Sequence, residues 1–147
     1  MECASESVEK NSRQSGLTVS FPWGMPGLDY KQYRLTALAE ESPFFYLQST
    51  EQPEVGLLLI NPFAVERDYE FDISEDVVKK LKIEDQKQVA VFCTVNTNLG
   101  ASSPTVNLLA PIVVNVDRLL GKQIVLNDKK YSLRTPLVLS SGDQEAG

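Results

Sequence analysis

The chain has 147 residues, enough for one domain that buries roughly 70% of the surface its unfolded form would expose. Hydrophobic residues make up 42% and charged ones 23%, a globular balance that excludes a wholly disordered chain. A net charge of −6 argues against direct binding of nucleic acid, which needs a basic stripe to displace counterions, and favours a basic protein partner.

No apolar run approaches the roughly 18 residues of a membrane helix, and no basic-then-apolar leader marks a secretion signal. Cys3 stands in a polar tail and Cys93 in an apolar strand pattern, so a disulfide between them is not expected. A soluble, cytoplasmic protein is the expectation.

Residues 1 to 15 are polar and aperiodic and read as a disordered leader, followed by one domain over 16 to 139 and a polar tail over 140 to 147. From Leu17 to Phe21 apolar and polar residues alternate, which predicts a half-buried strand. Pro22-Trp23-Gly24-Met25-Pro26-Gly27 packs four breakers into six positions and predicts a rigid loop with Trp23 and Met25 packed across it. Tyr33 to Ala39 is a second predicted strand. Two apolar runs, Phe44 to Leu47 and Val55 to Ile60, then form a hairpin around a polar turn. Leu57 to Ile60 is apolar throughout, so both of its faces should be covered.

Asp68 to Ile73 shows the cleanest alternation: Tyr69, Phe71 and Ile73 on one side, Asp68, Glu70 and Asp72 on the other. A strand is expected there. A short helix follows, with Ser74 as N-cap, Glu75 and Asp76 in the first turn and Lys79, Lys80 and Lys82 at the far end. Val77, Val78 and Leu81 give it one apolar face to lay over a sheet edge. Gln88 to Asn96 is a strand with apolar groups on both sides, and Thr97 to Pro104 a mobile loop. Val106 to Val116 would be one long strand except that Pro111 cannot donate to a ladder, which predicts a bulge, bend or edge there. Gln123 to Leu126 and Tyr131 to Arg134 complete about nine short strands. An all-β barrel or sandwich with one short helix is the predicted fold.

There is no histidine, which removes the commonest general base, the serine triad and most zinc sites together. Cys93 between apolar neighbours reads as core rather than nucleophile. Phosphate-loop and dinucleotide fingerprints are absent. Glu40 to Asp85 carries twelve acidic and four basic residues, net −8, against net +2 for the remainder. That concentration suits either a docking patch for a basic protein or a merely soluble surface. Phe63, beside the acidic run, reads either as an apolar anchor or as core.

Six segments in order resemble the bacterial flagellar assembly factor FliW family: FPWGMPG (21–27), SPFFYLQS (42–49), LINPF (59–63), DYEFDI (68–73), TVNLLAPIVVNV (105–116) and GKQIVLND (121–128), with Tyr131 following. The resemblance covers roughly residues 19 to 137. Two departures are a polar leader in place of the family's usual first strands and Leu28 where the family has Phe. The resemblance implies a small β-barrel-like domain, no catalysis and no cofactor. It also implies two partners: CsrA, a basic dimer that represses flagellin mRNA translation, and flagellin, which competes for the same factor. The acidic face with an apolar residue at its rim supplies the candidate CsrA contacts, Phe63, Glu66, Asp68, Glu70 and Asp72. The candidate flagellin contacts are Asn107, Leu109, Pro111 and Ile112, in an apolar groove where Pro111 interrupts sheet pairing and is expected to leave backbone groups to be satisfied. A small-ligand-binding β-barrel with an internal cavity is the alternative; an acid-dependent hydrolase would need two carboxylates converging in a cleft.

Overall fold

The computed structural model describes residues 16–25, 28, 30–97 and 103–139. The predicted leader 1–15, the tail from 140 and most of the predicted loop after Thr97 lie outside the described residues, as does Cys3.

Four strands form an antiparallel meander: β1 (Leu17–Ser20), β2 (Gln32–Ala37), β3 (Phe44–Ser49) and β4 (Gly56–Ile60). The predicted hairpin is β3–β4, with Phe45 opposite Leu59 and Leu47 opposite Leu57. After a long excursion come β5 (Val89–Asn96), β6 (Thr105–Val106), β7 (Ile112–Asn115), β8 (Leu120–Gln123) and β9 (Thr135–Pro136). Strand β5 pairs with β7, and β7 with β8. Two short contacts then close the sheet. Leu59 and Ile60 of β4 pair with Thr94 and Cys93 of β5, and Ser20 of β1 lies parallel to Leu120 of β8. The result is a seven-stranded barrel in the order β4-β3-β2-β1-β8-β7-β5, with β6 and β9 extending from the end of β5. Closure removes the edges an open sheet would expose.

Side chains fill the barrel. Phe21 meets Tyr33 edge-on at 5.5 Å, Phe45 meets Phe92 at 5.0 Å, and Val19, Leu35, Leu47, Leu59 and Ile112 pack round them. Rings of this size, fully buried, each contribute about 1.5–3 kcal/mol. Gly121 of β8 is part of the fit, because a Cβ there would stand 2.5 Å from the Phe21 ring.

A second core lies outside the barrel wall. Along β5, Ala90 and Phe92 point inward while Val89, Val91 and Cys93 point outward into this layer. That is why β5 is apolar at nearly every position: the period-two alternation places half of its side chains in each core. Along β4, Leu57 packs against the inner core and Leu58 against the outer one. The excursion 61–88 covers the outer face. It holds a 3-10 turn (Pro62–Ala64), the helix α1 (Glu75–Lys80) and a second 3-10 turn (Gln86–Gln88). Ser74 caps α1 as predicted, its Oγ accepting from the Val77 amide at 3.2 Å. The helix buries Val77 and Leu81 against the outer face of the wall, not over an open edge.

Four expectations need correction. Asp68–Ile73 is not a strand, since it joins no ladder. The strand expected at Gln123–Leu126 falls earlier, at Leu120–Gln123, whereas the run Val106–Val116 is split by residues 107–111 into β6 and β7 as Pro111 predicted. Tyr131–Arg134 is not a strand; the pairing falls later, at Thr135–Pro136. Trp23 is exposed while Met25 is buried, so the two do not share a packed loop interior.

Candidate functional site

The acidic run is held by its own alternation. Asn61 opens the segment, its Oδ1 accepting from the Phe63 amide at 3.0 Å, and Pro62 enters the first helical position. The chain then turns at Glu66, whose carbonyl accepts from the Tyr69 amide and whose carboxylate accepts from the Asp68 amide at 3.2 Å. Tyr69 points into the outer core and is 2% exposed. Its hydroxyl donates to the Leu108 carbonyl at 2.6 Å, and the Cys93 thiol approaches the same oxygen at 3.9 Å. Around its ring stand Tyr131 at 4.7 Å, Phe71 at 5.5 Å and Phe63 at 6.1 Å. The Tyr131 hydroxyl in turn accepts from the Glu70 amide at 3.1 Å. Aromatic pairs at these distances each add about 0.5–1.5 kcal/mol beyond area burial. Tyr69, Phe71 and Ile73 therefore face inward, and Asp68, Glu70 and Asp72 stand exposed on the other side. An extended chain alternates its side chains whether or not it joins a ladder, so the facing predicted from sequence holds although the strand does not.

Burial also sets the chemistry of the inner groups. Desolvation raises the Tyr69 hydroxyl far above its ordinary range, and the nearby Cys93 adds to the shift. The Cys93 thiol is pushed up to about 12 by burial, with the Tyr69 hydrogen bond opposing. A protonated, enclosed thiol is a packing group.

The predicted residues separate into those that can meet a partner and those that cannot. Phe63 is half-buried in the outer core, and Glu66 is half-buried and occupied with the turn. Asp68, Glu70 and Asp72 are exposed. The wider acidic concentration does not form one patch: Glu40 and Glu41 lie in the β2–β3 turn, whereas Glu51 and Glu54 lie in the β3–β4 turn at the opposite end of β3. Antiparallel strands send successive turns to opposite ends, so nearness in sequence is not nearness in space.

The second candidate surface, 107–112, changes more. Ile112 is fully buried inside the barrel and Pro111 is buried as well, so neither can touch a partner. Asn107 and Leu109 are half-buried. Nor does the break at Pro111 leave backbone groups unsatisfied. Asn107 Oδ1 accepts from the Leu109 and Ala110 amides, Ile124 donates to the Pro111 carbonyl and Leu126 to the Leu109 carbonyl. The Ala110 carbonyl accepts from Gln123 Nε2.

Two organising residues were missed from sequence. Asn115, fully buried, donates through Nδ2 to the carbonyls of Leu81 and Lys82 and accepts at Oδ1 from the amides of Asp117 and Arg118. It ties the end of α1 to the β7–β8 turn. A lone amide within the apolar run Ile112–Asn115 was its signal. Tyr131 was visible only as a family residue; its link to Glu70 spans 61 positions and has no local signature.

Two grooves flank the acidic segment. One, of about 410 Å³, is lined by Phe63, Arg67, Asp68, Tyr69 and Glu70. The other, of about 630 Å³, runs between Glu70–Asp72 and Leu126–Asp128, with Gln86 and Lys130 completing its walls. Among the described residues, no three Cys, Asp or Glu side chains gather as a metal site would need. No helix among them is long and apolar enough to cross a membrane.

These features define a small closed β-barrel whose interior is filled and whose outer wall carries an aromatic-braced acidic segment. A filled interior speaks against the small-ligand alternative. The model of the FliW protein family matches residues 4–137. Among curated relatives, the flagellar assembly factor FliW of Clostridium beijerinckii is 40% identical over 121 residues, covering 82% of this chain and 86% of that one. That of Bacillus pumilus is 39% identical over 124 residues, covering 84% and 86%, and that of Caldicellulosiruptor saccharolyticus 37% identical over 116, covering 79% and 76%. A crystal structure of a flagellar assembly factor FliW superposes with a TM-score of 0.74 at 36% identity, covering 84% of this chain and 87% of that one. The chain belongs to the FliW family.

Proposed function

We propose that the chain is a non-catalytic flagellar assembly factor that works in the cytoplasm by exchanging protein partners. It binds CsrA and relieves repression of flagellin mRNA translation; it also binds flagellin, so that flagellin level sets how much of it is left for CsrA. The observation that carries this proposal is the exposed row Asp68, Glu70 and Asp72, displayed by a segment that Tyr69 and Phe71 anchor in the core. Carboxylates on a braced segment suit a basic partner, because little backbone freedom remains to be lost on binding. The relatives' names, flagellar assembly factors, point to protein partners and not to a substrate.

In this proposal Asp68, Glu70 and Asp72 contact CsrA, while Glu66 and Phe63 hold the segment in place. Flagellin uses Asn107 and Leu109, with Pro111 and Ile112 shaping the surface from beneath. Calorimetric titration of purified CsrA tests the first part. The double variant Asp68→Lys, Asp72→Lys should weaken binding about tenfold at low salt, with a smaller loss at high salt as charges are screened. Unchanged binding at low salt refutes the assignment. For flagellin, Leu109→Asp in a folded variant should weaken binding; unchanged affinity rejects that surface.

A further inference from the structure

The larger groove runs between Glu70–Asp72 and Leu126–Asp128, and each stretch has backbone groups in it or beside it that make no hydrogen bond among the described residues. On one side, the β7–β8 register carries on past the end of β8: the Ile124 amide donates to the Pro111 carbonyl at 3.0 Å and the Leu126 amide to the Leu109 carbonyl at 2.8 Å. With period-two alternation, the amides and carbonyls of Val125 and Asn127 point to the opposite edge, away from that ladder. Neither residue's backbone makes a hydrogen bond among the described residues. On the other side, Glu70 donates to the Tyr131 hydroxyl, and the amides of Phe71, Asp72 and Ile73 make no hydrogen bond among the described residues. Between them Phe71 and Leu126, both partly buried in the outer core, provide an apolar lining. The charged lining is Glu70, Asp72 and Asp128 against Lys130, whose ammonium stands 3.9 Å from Asp128.

We propose that this groove accepts an extended, lysine- or arginine-rich peptide segment of a protein partner by strand addition, pairing its backbone with the edge that runs from Val125, beside the groove, to Asn127 in its wall. Unpaired amides and carbonyls supply the main-chain ladder, and the pocketed apolar groups take alternate side chains. The excess carboxylates select a basic segment over an acidic one. The inference deepens the docking proposal, since Glu70 and Asp72 serve both, and adds the conformation in which the partner binds and the edge it pairs with.

The probe is a synthetic octapeptide of alternating Lys and Val, together with the same peptide N-methylated at every second residue and a Glu-Val counterpart. Binding to the full chain is followed by fluorescence anisotropy at low salt, and amide hydrogen exchange is followed residue by residue. Strand addition predicts that the Lys-Val peptide binds, that methylation on the pairing edge weakens it about tenfold or more, and that the Glu-Val peptide does not bind. Exchange at Val125 and Asn127 should slow in the complex. Equal affinity of the methylated and unmethylated peptides, or exchange at Val125 and Asn127 that does not slow, overturns it, as does absence of binding. The two proposals fail separately. CsrA that still depends on Asp68 and Asp72 while the peptide behaves as a mere polycation sinks strand addition alone. CsrA indifferent to the charge reversal sinks the docking surface whatever the peptide does.

Discussion

Replacing Asn115 by Ala should loosen the outer layer. Its four hydrogen bonds, at 2.8 to 3.2 Å, serve two kinds of partner. Lys82, Asp117 and Arg118 are exposed, so water can take over their backbone groups, and their loss costs about 1–2 kcal/mol together. Leu81 is fully buried, so its carbonyl is left without a partner at about 1–3 kcal/mol. A total near 3 kcal/mol is expected, a large share of the roughly 5–15 kcal/mol that holds a domain folded. Urea unfolding should show it as a midpoint lower by roughly 1–2 M with a slope near 2 kcal/mol/M. Asn115→Asp gives an independent check. At neutral pH its carboxylate faces two carbonyl oxygens, which raises its folded-state pKa above the unfolded value near 3.9. Stability tied to a raised pKa is present at low pH and lost as pH rises through it, so this variant's deficit should shrink from pH 7 toward pH 4. A loss below about 1 kcal/mol in the Ala variant, or an Asp variant insensitive to pH, would refute the role given to Asn115.

Gly121→Ala should cost about 1–3 kcal/mol by overpacking, and Phe21→Leu in the same chain should recover part of it; additive losses in the double variant would count against the contact. Tyr69→Phe strands the Leu108 carbonyl and should cost about 1–3 kcal/mol, whereas Tyr131→Phe releases an amide at exposed Glu70 and should cost less than about 0.5 kcal/mol; equal losses in denaturation would break the distinction between buried and hydrated partners. Because burial lifts the Cys93 thiol to about 12 from an ordinary value near 9, folding gains stability from it that is intact below pH 9 and fades between pH 9 and 12. Cys93→Ala should flatten that part of the stability–pH curve, and thiol-specific reagents should label Cys93 in urea but not in the folded protein at pH 8.

Local patterning made much of this protein legible. Alternation and turn formers located β1 to β5, the cap and charge order located α1, and Pro111 announced the break between β6 and β7, because each signal is written in residues a few positions apart. The facing of Asp68, Glu70 and Asp72 was equally plain, since it follows from backbone geometry alone. Absence of histidine removed whole classes of chemistry before any fold was known. Tertiary structure decided the rest. Only the closure of β4 on β5 and β1 on β8 shows that the barrel interior is full and that Ile112 and Pro111 are inside. The same holds for the parting of Glu40 and Glu41 from Glu51 and Glu54, and for the bracing of Glu70 by Tyr131. Each depends on contacts between residues far apart in the chain, and one sequence carries no local energetic trace of such a contact until the chain has folded to make it.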